Sequence, residues 1–260
     1  MSDNLDANQI ASSMYDFKRN KCRKNLFRRM TFIASGTFAD VYSTHILTTE
    51  KVEKLALKFF NENTENGLSH YNDELYYIKI IISLNIDNCV QYRLDLLDYL
   101  TTLNLPPLVI PMTLYSYTLF EYAKKNKLTL PKLQKILYVC TKFVLDLHNK
   151  GYYHNDIKEN NVFIKDDICE TELTIVIGDY SLITKQDEDL NLMPGAIWVR
   201  APPEYSLTNK KMTLEGQLHM IGTMFHILNS DKMDDNFKDI IEKYMSKNPT
   251  ERREAMNKII

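Results

Sequence analysis

The stretch that decides the fold is HNDIKENN at residues 154–161, followed after a short apolar segment by IGDYS at residues 177–181. It places a histidine, an aspartate, a lysine and an asparagine at fixed offsets, and then adds a second aspartate. Transfer of a phosphoryl group needs such a set: one carboxylate orients the attacking hydroxyl, an ammonium neutralises the moving group, and an amide and a second carboxylate hold magnesium. The alternative interpretation is a polar turn between a helix and a hairpin, which the surrounding motifs disfavour.

The two motifs resemble the catalytic loop and the metal-binding motif of the eukaryotic protein kinase family. The resemblance implies that Asp156 is the catalytic base that orients the substrate hydroxyl, and that Lys158 contacts the transferred phosphoryl. It also implies that Asn161 and Asp179 bind Mg²⁺ through oxygen. His154 is expected to be structural, with a buried ring bonded to the backbone near the metal-binding motif. A lysine at position 158 resembles serine/threonine kinases more than tyrosine kinases.

The segment IASGTFADV at residues 33–41 is similar to the glycine-rich loop GxGxxGxV of the same family. Such a loop brings backbone N–H groups close to the phosphates of ATP, which glycine permits because it has no Cβ. Only Gly36 is retained, and Ala34 and Ala39 replace the outer glycines. We expect a stiffer loop rather than a blocked site, since alanine is the smallest substitute. Taken alone, the segment fits an ordinary hairpin turn equally well.

The strand LALK at residues 55–58 is similar to the VAIK strand of the family. A lysine inside an apolar strand is costly unless it is paired. The resemblance implies that Lys58 bridges the phosphates of ATP and a helix glutamate, for which Glu74 is the candidate. The side chains that the resemblance places around the adenine are Val41, Ala56 and Phe163.

Two motifs near the end of the chain are similar to the same family. APPE at residues 201–204 is similar to the end of an activation segment, normally APE, and NPTER at residues 248–252 is similar to the DPxxR motif. The resemblance implies a bidentate ion pair between Glu204 and Arg252 that fixes the segment to the helical lobe.

Several positions depart from the family pattern. Asn155 replaces the arginine that normally receives an activation-loop phosphate, so we expect activity without phosphorylation of that loop. Gln217 stands in place of a helix aspartate that braces the catalytic loop, and its amide can still accept a hydrogen bond. Ala196 or Ile197 lies where serine/threonine kinases usually carry a threonine, which weakens the prediction of substrate class.

The hydrophobic pattern predicts an α+β protein, with a β-rich part that contains one helix followed by a mainly helical part. The resemblance implies that these parts are the two lobes of the bilobal protein-kinase fold, the second of them trimmed. We expect a basic extension over residues 1–30, the first lobe over 31–113 and the second over 114–260. The predicted strands cover residues 32–33, 41–42, 55–60, 90–99, 108–112, 162–164 and 173–177. The predicted helices cover residues 69–84, 119–125, 131–150, 216–229, 235–246 and 250–260.

Composition bounds the class of function. A net charge of −2 over 260 residues gives no global field that favours nucleic acid or a membrane, and no apolar run approaches the length of a transmembrane helix. The polar, acidic start is unlike a signal peptide. Four scattered cysteines without a CxxC pair fit a reducing intracellular compartment, cytoplasmic or nuclear, with no disulfide framework or zinc site. The basic run at residues 18–29 predicts either a solvated helix face or a nuclear-import or nucleic-acid-binding segment.

These patterns favour a serine/threonine protein kinase that depends on ATP and Mg²⁺. The alternative is a pseudokinase that acts as a protein-binding scaffold or allosteric regulator. The departures motivate it, although all six polar groups of the implied machinery are present: Lys58, Glu74, Asp156, Lys158, Asn161 and Asp179.

Three further interpretations remain open. A small-molecule kinase of the aminoglycoside or choline type would usually lack Lys158, Glu204 and Arg252. A nucleic-acid-binding function of residues 18–29 could coexist with kinase activity. The trimmed second lobe and the HND and DY motifs also resemble kinases of large DNA viruses such as baculoviruses, whose substrates would include viral structural or basic DNA-packaging proteins.

Overall fold

The computed structural model describes residues 30–36, 38–47, 52–61, 65–102, 108–165, 173–190, 200–206, 208–228 and 233–260. They form two compact units. The first contains the described residues up to Leu75 together with Gln91–Leu114, and the second contains Tyr76–Val90 and Tyr115–Ile260. The lobe boundaries predicted from the sequence stay predictions, and the basic run at residues 18–29 lies outside the described residues, as do Ala196 and Ile197.

The first unit is built on an antiparallel sheet of four strands in the order β1-β2-β3-β4. The strands are Thr31–Ser35 (β1), Ala39–Leu47 (β2), Val52–Phe60 (β3) and Val109–Thr113 (β4). β-branched and aromatic residues recur along them, as is typical of half-buried strands. The core of this unit consists of Tyr42, Leu55, Leu57, Phe59, Leu96, Leu100 and Val109, with Met30 packed against it.

One predicted strand is wrong. Residues 90–99 do not form a strand; instead a 3₁₀ turn at Leu94–Leu96 leads into helix Leu97–Thr102, and Tyr92 makes only an isolated bridge to Met112. The apolar residues at 90, 92, 94 and 96 alternate as a strand would, which misled the prediction. Leu96 and Leu100, four residues apart, both enter the core, and this helical spacing prevails.

The long helix α1, Glu65–Leu84, begins four residues before its predicted start, and the division between the two units falls within it. Helix Leu97–Thr102 is α2. Glu74 is the buried charged residue of α1, with 1% of its surface exposed. A carboxylate in that position needs a cationic partner, because burying an unpaired charge is very costly.

The second unit is mainly helical, and its described residues form five helices beyond α1. They are Leu119–Lys125 (α3), Leu130–Asn149 (α4), Leu214–Leu228 (α5), Asp235–Tyr244 (α6) and Pro249–Met256 (α7). Thr118 and Glu121 form a capping box that starts α3, and a proline lies in the first turn of α4. The prediction for α3 is confirmed, and the last helix ends at Met256 rather than at residue 260.

Two small sheets in the second unit carry the segments with polar motifs. β5 (Tyr117–Thr118), β7 (Val162–Lys165) and β8 (Thr174–Ile177) form one, and β6 (Tyr152–Tyr153) pairs with β9 (Thr184–Lys185) in the other. The predicted hairpin at residues 162–177 is confirmed. In the described part of the chain, no helix combines the length and apolar character that crossing a membrane requires.

Candidate active site

Residues 154–161, which resemble a kinase catalytic loop and are called the catalytic loop below, connect β6 to β7. His154 opens it and is fully buried. Burial lowers the pKa of His154 to about 4, so the ring is neutral near pH 7. Its Nδ1 accepts a hydrogen bond from the Asp156 N–H at 3.3 Å, which assigns the proton to Nε2, 3.1 Å from the carbonyl oxygen of Gly178. The predicted structural role of His154 is confirmed: a buried ring holds the loop against the backbone beside Asp179.

Two side chains of the loop converge on one carboxylate oxygen of Asp156. Lys158 Nζ lies 2.6 Å from Asp156 Oδ2, and Asn161 Nδ2 donates to the same oxygen at 2.8 Å and to the Asp156 carbonyl at 2.9 Å. Burial raises the pKa of Asp156 above the ordinary range of an aspartate, while Lys158 and Asn161 oppose the shift. The Asp156 Oδ1 atom is therefore the oxygen that these two donors leave available to a third group.

Asp179 follows β8 and adopts a left-handed backbone with φ of 64°. Gly178, just before it, donates its N–H to the carbonyl oxygen of Asn161 at 3.0 Å, which joins this motif to the end of the catalytic loop. A Cβ at Gly178 would lie 2.5 Å from Cγ2 of Val90, so only glycine permits this close approach. The Asp179 Oδ1 atom accepts a hydrogen bond from Ser181 Oγ at 2.9 Å.

The chemistry of the donors fits a magnesium ion. The side-chain amide of Asn161 donates both of its hydrogen bonds to Asp156. The Oδ1 atom of Asn161 is therefore the side-chain atom that can face a cation. With the Asp179 carboxylate, this gives the hard oxygen ligands that Mg²⁺ prefers, completed in kinases by water and substrate phosphates. No group of three or more histidine, cysteine, aspartate and glutamate side chains suited to a metal ion occurs in the described ranges.

Asn155 and Gln217 fix the position of the loop through hydrogen bonds, and both are fully buried. Gln217 Oε1 accepts hydrogen bonds from the backbone N–H groups of His154 and Asn155, each at 3.2 Å, and its Nε2 donates to Asn155 Oδ1 at 3.2 Å. The Asn155 amide donates to the carbonyl of Leu182 at 2.7 Å and to Thr184 Oγ1 at 2.9 Å. The prediction that Gln217 still accepts a hydrogen bond is confirmed.

Sequence reasoning missed an ion pair between the catalytic loop and the following segment. Arg200 Nη2 lies 2.8 and 3.0 Å from the two carboxylate oxygens of Glu159, which is 4% exposed. The available signal was that Glu159 occupies a variable position of the loop motif and that Arg200 directly precedes APPE. No spacing rule connects residues so far apart in sequence.

The predicted pair of Glu204 and Arg252 is present but is not bidentate. Arg252 Nη2 donates to Glu204 Oε1 at 2.7 Å, while Arg252 Nε and Nη1 and Glu204 Oε2 are buried without hydrogen bonds. Packing around the fully buried Arg252 sets the angle of the guanidinium, and at that angle a single N–H reaches the carboxylate. The prediction was correct in the partners and wrong in the geometry.

The first unit brings Lys58 and Glu74 together. Lys58 lies on β3, opposite Val41 on β2 and Ile110 on β4. Its Nζ lies 2.9 and 2.7 Å from the two carboxylate oxygens of Glu74 on α1. The ion pair predicted from the sequence is therefore present. The Lys58 side chain is 16% exposed.

The turn between β1 and β2 is held from two sides. The N–H of Gly36 donates to the carbonyl of Ala39 at 2.8 Å, and a Cβ at Gly36 would lie 3.3 Å from that oxygen. Beyond the turn, the ring of Phe38 stacks on His70 of α1, with centroids 3.6 Å apart and planes inclined by 28°. His70 precedes Glu74 by one helical turn, so α1 contacts both the turn and Lys58. The tight backbone at Gly36 is compatible with a phosphate-binding turn.

The remaining predicted residues fall in two places. Ala34, Ala39, Val41 and Ala56 lie on β1 to β3 of the first unit, where Ala56 is buried and Val41 half-buried. Phe163 lies on β7 of the second unit, with its ring 5.9 Å from that of Tyr115.

The chain is similar in sequence to known protein kinases. Residues 27–197 match the model of a family described as protein tyrosine and serine/threonine kinase. The chain is similar to serine/threonine-protein kinase plk-2 of Caenorhabditis elegans, with 28% identity over 173 residues, which cover 64% of this chain and 25% of that protein. It is also similar to a probable CTD kinase subunit alpha homolog of Encephalitozoon cuniculi (strain GB-M1), with 27% identity over 90 residues, covering 34% and 26% of the two chains. The chain thus spans about a quarter of the length of these relatives. The predicted α+β kinase fold is confirmed.

Proposed function

We propose, because the chain belongs to the protein tyrosine and serine/threonine kinase family, that it transfers the γ-phosphoryl group of ATP to serine and threonine hydroxyls of protein substrates. The observation that carries the proposal is the convergence of Lys158 and Asn161 on one oxygen of the Asp156 carboxylate. A buried carboxylate fixed by two donors is suited to orient a hydroxyl, because the rate of phosphoryl transfer depends mostly on positioning and charge.

Each side chain of the second unit then has a definite task. Asp156 Oδ1 accepts the hydrogen bond of the substrate hydroxyl and takes its proton as the oxygen attacks. Lys158 turns its ammonium from Asp156 towards the transferred group, where it stabilises negative charge. Mg²⁺, when bound through Asn161 and Asp179, supplies the main neutralisation of phosphate charge. His154 holds the backbone of the loop and takes no part in proton transfer, because it is neutral and enclosed.

The first unit would bind the nucleotide. Lys58, oriented by Glu74, donates to the phosphates of ATP, and Gly36, which has no Cβ, lets the backbone of the turn come close to them. The residues of the first unit assigned to this task are Ala34, Gly36, Ala39, Val41, Ala56, Lys58 and Glu74; the role of Phe163 stays a prediction from the sequence. The likeness to plk-2, whose name describes a serine/threonine kinase, and the lysine at position 158 support the substrate class.

The contacts of Asn155 support activity without phosphorylation of the activation segment. Its amide already links the loop to Leu182, Thr184 and Gln217, so no phosphate is needed to join these segments. We further propose an intracellular location and protein substrates that include basic or structural proteins. The likeness to kinases of large DNA viruses stays a prediction from the sequence.

The second candidate is a pseudokinase, a scaffold that does not turn over ATP. The observation that favours it is the set of departures from the family pattern, among them Asn155 and Gln217. Nucleotide binding without transfer would distinguish this candidate from an active enzyme.

The test is transfer of radiolabelled phosphate from ATP with magnesium to generic basic and acidic proteins, before and after phosphatase treatment of the enzyme. We expect labelled serine or threonine, a loss of about a hundredfold or more in Asp156→Asn, and no loss in Asp187→Asn, which makes the same change at an exposed position. Transfer that is equal in Asp156→Asn contradicts the role of Asp156. ATP binding without transfer by the wild type favours the pseudokinase, and label on tyrosine contradicts the substrate class.

A further inference from the structure

A cluster of lysines and aromatic rings surrounds the junction of α3 and α4, next to the loop of residues 154–161, whose Glu159 carbonyl accepts from the Phe120 N–H at 3.1 Å. We call it the lysine–aromatic cluster; its members are Tyr117, Phe120, Tyr122, Lys124, Lys125, Lys127 and Lys132. Three of the ammonium groups lie over rings. The distances to the ring centroids are 3.9 Å from Lys124 to Phe120, 4.9 Å from Lys125 to Tyr117 and 5.1 Å from Lys132 to Tyr122.

The rings connect the lysines into one surface. Tyr117 and Tyr122 lie with centroids 5.9 Å apart, so Lys125 and Lys132 stand on adjoining rings. Lys132 also donates to the hydroxyl of Tyr122 at 2.6 Å. Ring contacts restrain long side chains that would otherwise move freely, which reduces the conformational entropy lost when the lysines bind a partner.

The positive charge of the cluster is not balanced locally. Across the residues that the structure describes, Lys124, Lys125, Lys127 and Lys132 form no ion pair with a carboxylate. Lysines elsewhere do, as in the pairs Lys142–Asp146, Lys185–Glu188 and Lys243–Asp239.

The nearest acidic residue in sequence offsets only part of this positive charge. Residues 119–135 contain five lysines and one acidic residue, Glu121, in a chain whose net charge is −2. The Glu121 side chain is engaged in the capping box, where its Oε2 accepts from the Thr118 N–H at 2.9 Å. The cluster is thus a concentrated positive surface on a protein with slightly negative net charge.

We propose that the lysine–aromatic cluster docks an acidic segment of a partner protein. Clustered, unpaired ammonium groups attract carboxylates and increase the rate of encounter. A nucleic acid fits less well, because binding of single strands relies on free aromatic faces for stacking. Here the faces of Phe120 and Tyr117 are covered by lysines, and Tyr122 is 1% exposed. The inference goes beyond the proposed function, since docking requires no phosphoryl transfer.

The experiment measures binding of a fluorescein-labelled glutamate-rich peptide to the full chain by fluorescence anisotropy, at low and at physiological salt. The variant is the double charge reversal Lys124→Glu with Lys125→Glu, which leaves the Lys132–Tyr122 bond intact. The control is Lys247→Glu with Lys258→Glu, two exposed lysines outside the cluster with the same change in net charge. Thermal unfolding of both variants verifies that each is folded.

We expect the cluster variant to bind the peptide about tenfold more weakly than the wild type, and the control to remain within about twofold. We also expect Asp156→Asn to bind as the wild type does, which separates docking from catalysis. Equal weakening in both double variants, or no binding by the wild type, overturns the proposal. Tighter, cluster-dependent binding of a single-stranded RNA of matched charge would assign the surface to nucleic acid instead and overturn it as well.

Discussion

Removing either partner of the Glu204–Arg252 pair should have very different consequences for stability. Arg252 has 0% of its side chain exposed, and Glu204 has 23%. Replacing Glu204 leaves a fully enclosed guanidinium without an opposite charge, whereas replacing Arg252 leaves a carboxylate on a side chain that is partly exposed. The order of the two effects therefore follows from exposure rather than from the strength of the bond.

The expected changes in the free energy of unfolding follow from the burial of the same two side chains. Glu204→Gln should lower the free energy of unfolding by about 3–5 kcal/mol, the range for stranding one member of a buried pair. Arg252→Met should lower it by about 1–3 kcal/mol, since the side chain is replaced by an apolar one of similar length. The double variant should cost about 1–3 kcal/mol less than the sum, because neither charge is then left alone.

The assay is urea unfolding followed by far-ultraviolet circular dichroism, whose signal comes mostly from α4 to α7 of the second unit. Lys238→Met, at an exposed residue of α6, serves as the control for the loss of a surface charge. The reasoning is refuted if Arg252→Met is the more destabilising change, or if the two single effects simply add.

Two further predictions concern histidines. His154 has a folded pKa of about 4 against 6.5 when unfolded, so its stabilising contribution is complete above pH 6.5 and is lost as the pH falls towards 4. We expect about 3 kcal/mol of such loss in the wild type and a shallower pH dependence in His154→Gln, measured by urea unfolding at several pH values; identical slopes would contradict this. His70→Ala should raise the KM for ATP about two- to tenfold with little change in kcat, because a stacked ring pair contributes about 0.5–1.5 kcal/mol. His70→Phe should restore the KM, and failure of that rescue would count against stacking on Phe38.

Residues whose partners follow from local chemistry could be predicted from the sequence. Lys58 had to be paired, because an unpaired ammonium in an apolar strand is costly, and a helix glutamate was the available partner. The amide of Gln217 can accept as a carboxylate does, so its bonds to the catalytic loop followed from residue type. In both cases the charge or hydrogen-bonding capacity of one group was enough to predict the kind of partner that it has.

Geometry that depends on packing could not be predicted in this way. The single contact of Arg252 depends on how its surroundings orient the guanidinium, and the Phe38–His70 stack depends on the path of a turn. The strand predicted over residues 90–99 failed because alternation and helical spacing coexist there, and burial of Leu100 decided between them. Glu159 and Arg200 are distant in sequence, so only the folded chain pairs them.

The fixed bonds of Asn155 have a consequence for how such a molecule could be controlled. Its amide joins Leu182, Thr184 and Gln217 as soon as the chain has folded, so this junction contains no step that waits for an upstream enzyme. The total activity of a protein whose catalytic loop is assembled in this manner would be proportional to the number of protein molecules present. A cell would then control the activity through synthesis of the protein, its degradation and its delivery to the substrate. A phosphatase acting on the protein would leave the activity unchanged.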